Sequence, residues 1–262
     1  MSFMIVALTA FFFSTLSFFS GFGLATTLLP AFAIFFTPEK AVAATAIVHA
    51  ANSAFKALLM RHFIDRQILW RFGLPAVIAA LIGASLFSSA SSLPPIMSYH
   101  MGPVTAQISV AKLIIAVLMA IFALFELNPY LQRLTFPKNY LVLGGILSGF
   151  FGGLSGHQGA LRSAFMTKLS LTPESFIGTS SAIGLIVDCA RLSVYAWWLV
   201  GFGMQFSFQK SEFALIAVGL IAALIGVFIG RTLVREASMK TIRFLVGILL
   251  LAIAALLGLG LV

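Results

Sequence analysis

The chain is poor in charge. Only 9% of its 262 residues are Asp, Glu, Lys or Arg, and just 7 of those are acidic. A soluble domain carries about 25% charged residues, so a water-facing surface of ordinary polarity is excluded. No Asp, Glu, Lys or Arg occurs from Met1 to Pro38, from Phe72 to Ala111, from Leu192 to Gln209, from Phe213 to Gly230 or from Phe244 to Val262. There is one cysteine, Cys189, which excludes an intrachain disulfide and a paired-cysteine metal site. The four histidines, His49, His62, His100 and His157, lack metal-ligand spacing, so neither a metal nor a cofactor is expected. Zinc-protease, nucleophile-elbow and phosphate-loop signatures are missing, as is any acidic cluster for Mg²⁺; an enzyme is not expected and no catalytic residue is assigned. The net charge of +9 comes from basic residues at the ends of apolar runs rather than a patch, which argues against a nucleic-acid partner.

What remains is apolar. Hydrophobic residues make up 61% of the chain, and the mean hydropathy is +1.10. A membrane span needs about 20 apolar residues, and lipid admits only helices or closed barrels. Barrel strands alternate apolar and polar residues, whereas Ile216 to Ile229 is apolar throughout. The expected fold is therefore all-α, a polytopic transmembrane helical bundle whose partner is the lipid bilayer. The start, Met1-Ser2-Phe3, has no positive flank and reads as a retained membrane segment, not a cleaved signal peptide.

The chain aligns on itself at an offset of 135 residues. Thr37-Pro38-Glu39 falls on Thr172-Pro173-Glu174, Gly21 on Gly156 and Lys56 on Arg191. The expectation is a single domain, 1–262, of two repeats, about 3–127 and 138–261. Each opens with an apolar segment broken by glycine, 3–36 and 139–170, and continues with three helices. These are placed at about 41–60, 69–87 and 108–126, then 175–199, 212–231 and 242–261. If both broken segments are hairpins, the cations of 61–71, 128–138, 168–174 and 231–243 all lie on the cytoplasmic side, as the positive-inside rule requires. The repeats are then inverted and both termini are periplasmic, a plan that places a transport site at the midplane where the breaks meet.

The second break is the strongest local feature. Seven of the sixteen residues from Gly144 to Gly159 are glycine. Gly144, Gly145 and Gly149 are equally well explained by tight helix packing. From Gly152 to Gly159 a functional break is expected, with Gly153, Ser155, Gly156, His157, Gln158 and Gly159 lining an anion site. Freed N–H groups at the next helix start, with Arg162 one turn in, would hold the anion. The first break offers Gly21, Gly23, Thr26 and Thr27, where hydroxyls bonded back to carbonyls explain the pattern equally well. Arg191, three residues after Asp188, marks a buried ion pair of structural or substrate role. Asp188 reads as the only acid deep in a span, hence the candidate proton carrier. Lys56 is expected to snorkel to the cytoplasmic face. Asn52 lines a cavity or bonds between helices.

The stretch GGILSGFFGGLSGHQGALRSAF, followed by LTPESFIGTSSA, resembles the second block of the TauE/SafE sulfite-exporter-like membrane proteins. FFSGFGLATTLLPAFAIFFTPEKAVAAT resembles their N-terminal block. The resemblance runs nearly the length of the chain. It implies a bacterial inner-membrane transporter of small anions of the sulfite, sulfonate or related oxyanion type. Where that family has runs of glycine or small residues, this chain reads GFGLA in the first break and carries His157, Gln158 and Arg162 in the second. The expected function is secondary transport of such anions by alternating access, with Asp188 available for proton coupling. A passive anion channel and a non-transporting membrane scaffold remain the alternatives, and the sequence specifies no oligomeric state.

Overall fold

The structure is a computed structural model that describes residues 1–20, 23–101, 104–201, 208–233 and 239–262. Eleven α-helices are seen among them: α1 Ser2–Ser20, α2 Leu24–Ala33, α3 Pro38–Leu59, α4 Arg66–Ser91, α5 Val110–Leu127, α6 Pro129–Gln132, α7 Leu141–Ser155, α8 Gly159–Met166, α9 Pro173–Gly201, α10 Lys210–Leu233 and α11 Met239–Gly258. Helices α3, α4, α5, α9 and α10 are long and apolar enough to cross a membrane. The described apolar part of α11, Arg243–Gly258, is shorter. Large apolar side chains such as Trp70, Ile78, Val117, Ile221 and Phe228 are exposed, as lipid-facing surfaces require. The protein is an all-α integral membrane protein.

One element was not foreseen. A β-hairpin, β1 Met97–Met101 with β2 Val104–Ile108, joins α4 to α5. The expected helices at about 69–87 and 108–126 leave this segment unassigned, because five residues of alternation between apolar runs carry little periodic signal. The hairpin is anchored on the C-terminus: Gln107 N–H donates to the Gly260 carbonyl, and Tyr99 hydroxyl to that of Leu259.

Glycine decides how the helices pair. On α7, Gly145, Gly149 and Gly153 lie against the backbone at Phe72, Ala76 and Ala80 of α4. A Cβ on any of the three would come within 2.3 Å of a carbonyl oxygen. Without a hydrophobic force between helices in lipid, such small-residue contact supplies the association. The matched order along both helices makes α4 and α7 parallel. Likewise Gly219, Gly226 and Gly230 of α10 meet Val6, Phe11 and Thr15 of α1, so these two are also parallel. Between the pairs, α3 packs on α9, and α5 on α11.

Both broken segments are hairpins. Helix α2 ends beside Thr37, at the end of the bundle where Lys40 pairs with Glu212 at 2.9 Å. The α7–α8 hairpin closes at the other end, where Phe136 N–H donates to the Ala164 carbonyl and Gly144 lies against Phe165. That end also holds Met60 and Ile64, in contact with Gly178 of α9. The two hairpins thus enter from opposite ends.

Candidate functional site

Helix α7 continues through Gly152 and Gly153 to Ser155, so the second break is shorter than expected. Gly153 belongs to the α4 contact; its carbonyl accepts from Tyr195 hydroxyl at 2.9 Å. The chain turns at Gly156, with φ +87 in the left-handed region that only glycine enters cheaply. A Cβ there would also lie 2.7 Å from Arg191 Nη1. Ser148 hydroxyl donates to the Gln158 carbonyl and fixes the turn against α7. Helix α8 then begins at Gly159 with no side-chain cap, leaving the first-turn N–H groups without intrahelical acceptors.

Helix α9 supplies the charges. Asp188 is wholly buried and accepts from three directions. Arg191 Nε donates to Oδ1 at 3.0 Å, Gln158 Nε2 donates to the same oxygen at 3.1 Å, and His49 Nδ1 lies 2.5 Å from Oδ2. Gln158 also accepts from Arg162 Nη1 at 2.9 Å, while Arg162 Nε donates to Ser180 hydroxyl at 2.8 Å. Arg162 and Arg191 are 2% and 0% exposed. Arg191 Nη2 stands 2.9 Å from Asp188 Oδ1 as an ion pair, yet neither Nη1 nor Nη2 finds a well-directed hydrogen-bond acceptor among the described residues. Gly184 lets α3 and α9 close together: a Cβ on it would be 3.3 Å from both Arg162 Nη1 and Ser53 Oγ.

The structure therefore brings Gly156, Gln158, Arg162, Asp188 and Arg191 into one network. It separates others from it. His157 stacks on Phe122 of α5, with centroids 4.8 Å apart, and its Nδ1 meets Ser155 hydroxyl at 2.9 Å, a partner the sequence reading had not assigned. Gly159 only opens α8. Asn52 Oδ1 lies 2.6 Å from Ser14 Oγ and ties α3 to α1. In the first break, Gly21 lies outside the described residues. Gly23 caps α2 with φ +112, Thr26 is buried, and Thr27 hydroxyl bonds back to the Gly23 carbonyl at 2.9 Å.

One expectation is corrected. Lys56 does not snorkel: it is 4% exposed, its ammonium held by a 2.7 Å hydrogen bond to the Ser17 hydroxyl of α1. Glu126, in the last turn of α5, is a second buried acid at 4% exposed. His49 and Ser53 were missed. The signal was present as His49, Asn52, Ser53 and Lys56, spaced to share one face of an apolar helix.

The profile described as Sulfite exporter TauE/SafE matches residues 6–257. The chain belongs to the TauE/SafE family. Membership implies sulfite-exporter-type membrane transport, and members are membrane transporters rather than enzymes. The match covers both breaks, so the glycine turn at Gly156 and the Asp188 network lie within the TauE/SafE region. No curated protein and no solved structure matches the chain.

Proposed function

We propose that the protein is a secondary transporter of small anions, of the sulfur oxyanion or organosulfonate class, working by alternating access between inverted halves in a bacterial inner membrane. The single observation that carries the anion reading is Arg191 at the Gly156 turn: its Nη1 and Nη2 are buried and, the ion pair of Nη2 with Asp188 aside, have no well-directed acceptor among the described residues. The uncapped start of α8 brings N–H groups and the positive end of its dipole to the same break. Arg162 adds a planar fork suited to oxyanions. The ligand is thus an anion held by Gly156, Gln158, Arg162 and Arg191, and the surrounding burial strengthens every contact.

Helix pairing supports the inverted halves. With α1, α2, α3, α4 and α5 set against α7, α8, α9, α10 and α11, the α4–α7 contact corresponds to α10–α1, and α4–α9 to α10–α3. The burial of Gln158, Arg162, Asp188 and Arg191 favours alternating access over a passive channel, because substrate reaches such a site only after a movement. Asp188 and His49, in contact at 2.5 Å, are the pair suited to carry a coupling proton. Abolition of proton-gradient dependence in Asp188→Asn proteoliposomes is the corresponding readout.

Calorimetry with sulfite tests the site. Arg162→Lys keeps the charge and loses the fork, so affinity should fall roughly tenfold, about 1.4 kcal/mol, at an unchanged melting temperature. Equal affinity in wild type and Arg162→Ala would remove Arg162 from the site. Sidedness has its own test. In a Cys189→Ser background, a cysteine at position 93 should label with an impermeant reagent from outside the cell, and one at position 168 should not. The reverse pattern would overturn the orientation.

A further inference from the structure

Lys56 has no role in the site described above, yet it is among the most deeply buried cations of the chain. The only hydrogen bond of its ammonium to a described residue is to Ser17, a neutral hydroxyl. The whole sequence holds seven acids. Glu39 and Glu212 sit at helix starts at one end of the bundle, and Asp65 and Glu174 at helix starts toward the other. Glu126 lies near the end of α5. Glu236 lies in the segment between α10 and α11, outside the described residues. Asp188 already serves Arg191, His49 and Gln158. Among the described residues, no carboxylate is left for Lys56. A buried ammonium without a counter-charge is costly in a membrane interior, and an anion arriving beside it would offset that cost.

The surroundings fit a visitor. Ser17 lies in the last turn of α1, directly before the first break. Gly23 opens α2 with no side-chain cap, and a Cβ added there would meet no described atom within 4 Å. Lys56 falls on Arg191 in the internal alignment, and Arg191 is the residue that packs on the turn of the second break. One turn before Lys56, Ser53 faces Gly184 beside Arg162 Nη1, so the two cationic regions adjoin across the α3–α9 contact.

We propose that Lys56 and Ser17 form a second subsite for the transported oxyanion, in the first half, which exchanges the anion with the Arg162–Arg191 subsite of the second half. This rests on the reading of the protein as an anion transporter. Lys56 supplies the charge, and Ser17, which accepts from Lys56, turns its proton from the Ser14 carbonyl, 3.1 Å away, to the anion. A small inorganic oxyanion fits this chemistry; an organic substrate would leave its apolar part beside Lys56.

The experiment is sulfite titration of purified wild type, Lys56→Met, Lys56→Arg and Arg162→Ala, with melting temperatures with and without sulfite. Lys56→Met should bind sulfite at least tenfold more weakly, and Lys56→Arg within threefold of wild type. Without anion, Lys56→Met should melt at or above wild type, because an uncompensated charge has been replaced by an apolar chain of similar length. A Lys56→Met protein that binds like wild type, or melts lower without anion, would overturn the subsite and leave the Arg162 reading standing. Loss of binding in Lys56→Met with wild-type binding in Arg162→Ala would support the subsite and remove Arg162. A wild type that binds no sulfite would overturn both.

Discussion

Asp188→Ala is expected to abolish transport and to lower the stability of the folded protein by about 3–5 kcal/mol. The aspartate is the common acceptor of Arg191, Gln158 and His49, and all of this is buried. Its removal leaves the Arg191 guanidinium, 0% exposed, with no counter-charge. Asp188→Asn keeps size and one acceptor oxygen, so its stability loss should be smaller, while gradient-driven transport is lost and only slow, gradient-independent movement remains. Asp188→Glu keeps the charge and should transport better than Asp188→Asn. The double variant Asp188→Ala/Arg191→Met separates the roles. It removes both charges and should recover much of the stability, with a coupling of roughly 0.5–3 kcal/mol between the sites, but no transport. Thermal unfolding in detergent and uptake into proteoliposomes are the measurements. Wild-type transport by Asp188→Ala and Arg191→Ala alike would exclude the pair from function.

Gly149→Leu should prevent folding. A Cβ at this position would sit 2.0 Å from the Ala76 carbonyl oxygen and 2.6 Å from its Cα, both backbone atoms that cannot swing aside. Overpacking costs about 1–3 kcal/mol in ordinary cores. Here α4 and α7 would have to separate along a seam that also includes Gly145 and Gly153. That seam positions Ser148 and the Gly156 turn, so a variant that does fold should lose anion binding too. Gly258→Ala is the control. Its added Cβ would make an ordinary 3.7 Å contact with Ala116, and alanine is the better helix former. Monodisperse elution and melting temperature distinguish the two. A Gly149→Leu protein as stable as wild type would mean that the close approach is not needed.

The membrane class, the helical spans and the two breaks were legible from the sequence because lipid makes a local demand. Each span must satisfy its own backbone and present apolar side chains over about 20 residues. That demand is written in consecutive residues, as in the charge-free stretch Phe213 to Gly230. Asp188 and Arg191 were likewise legible as a pair, since three residues is one helical turn. Tertiary structure decided everything that joins distant residues. His49 meets Asp188 across 139 positions, and no local pattern states that. Lys56 is buried and bonded to Ser17 of α1 across 39 positions rather than snorkelling, and no local pattern states that either. The glycine run from Gly144 to Gly159 looked like one feature and divides into two: Gly145, Gly149 and Gly153 serve the α4 contact, and Gly156 makes the turn. The physical reason is the same in each case. Apolar burial in lipid is satisfied residue by residue along the chain. A buried charge or a missing side chain finds its meaning only in what another helix places against it.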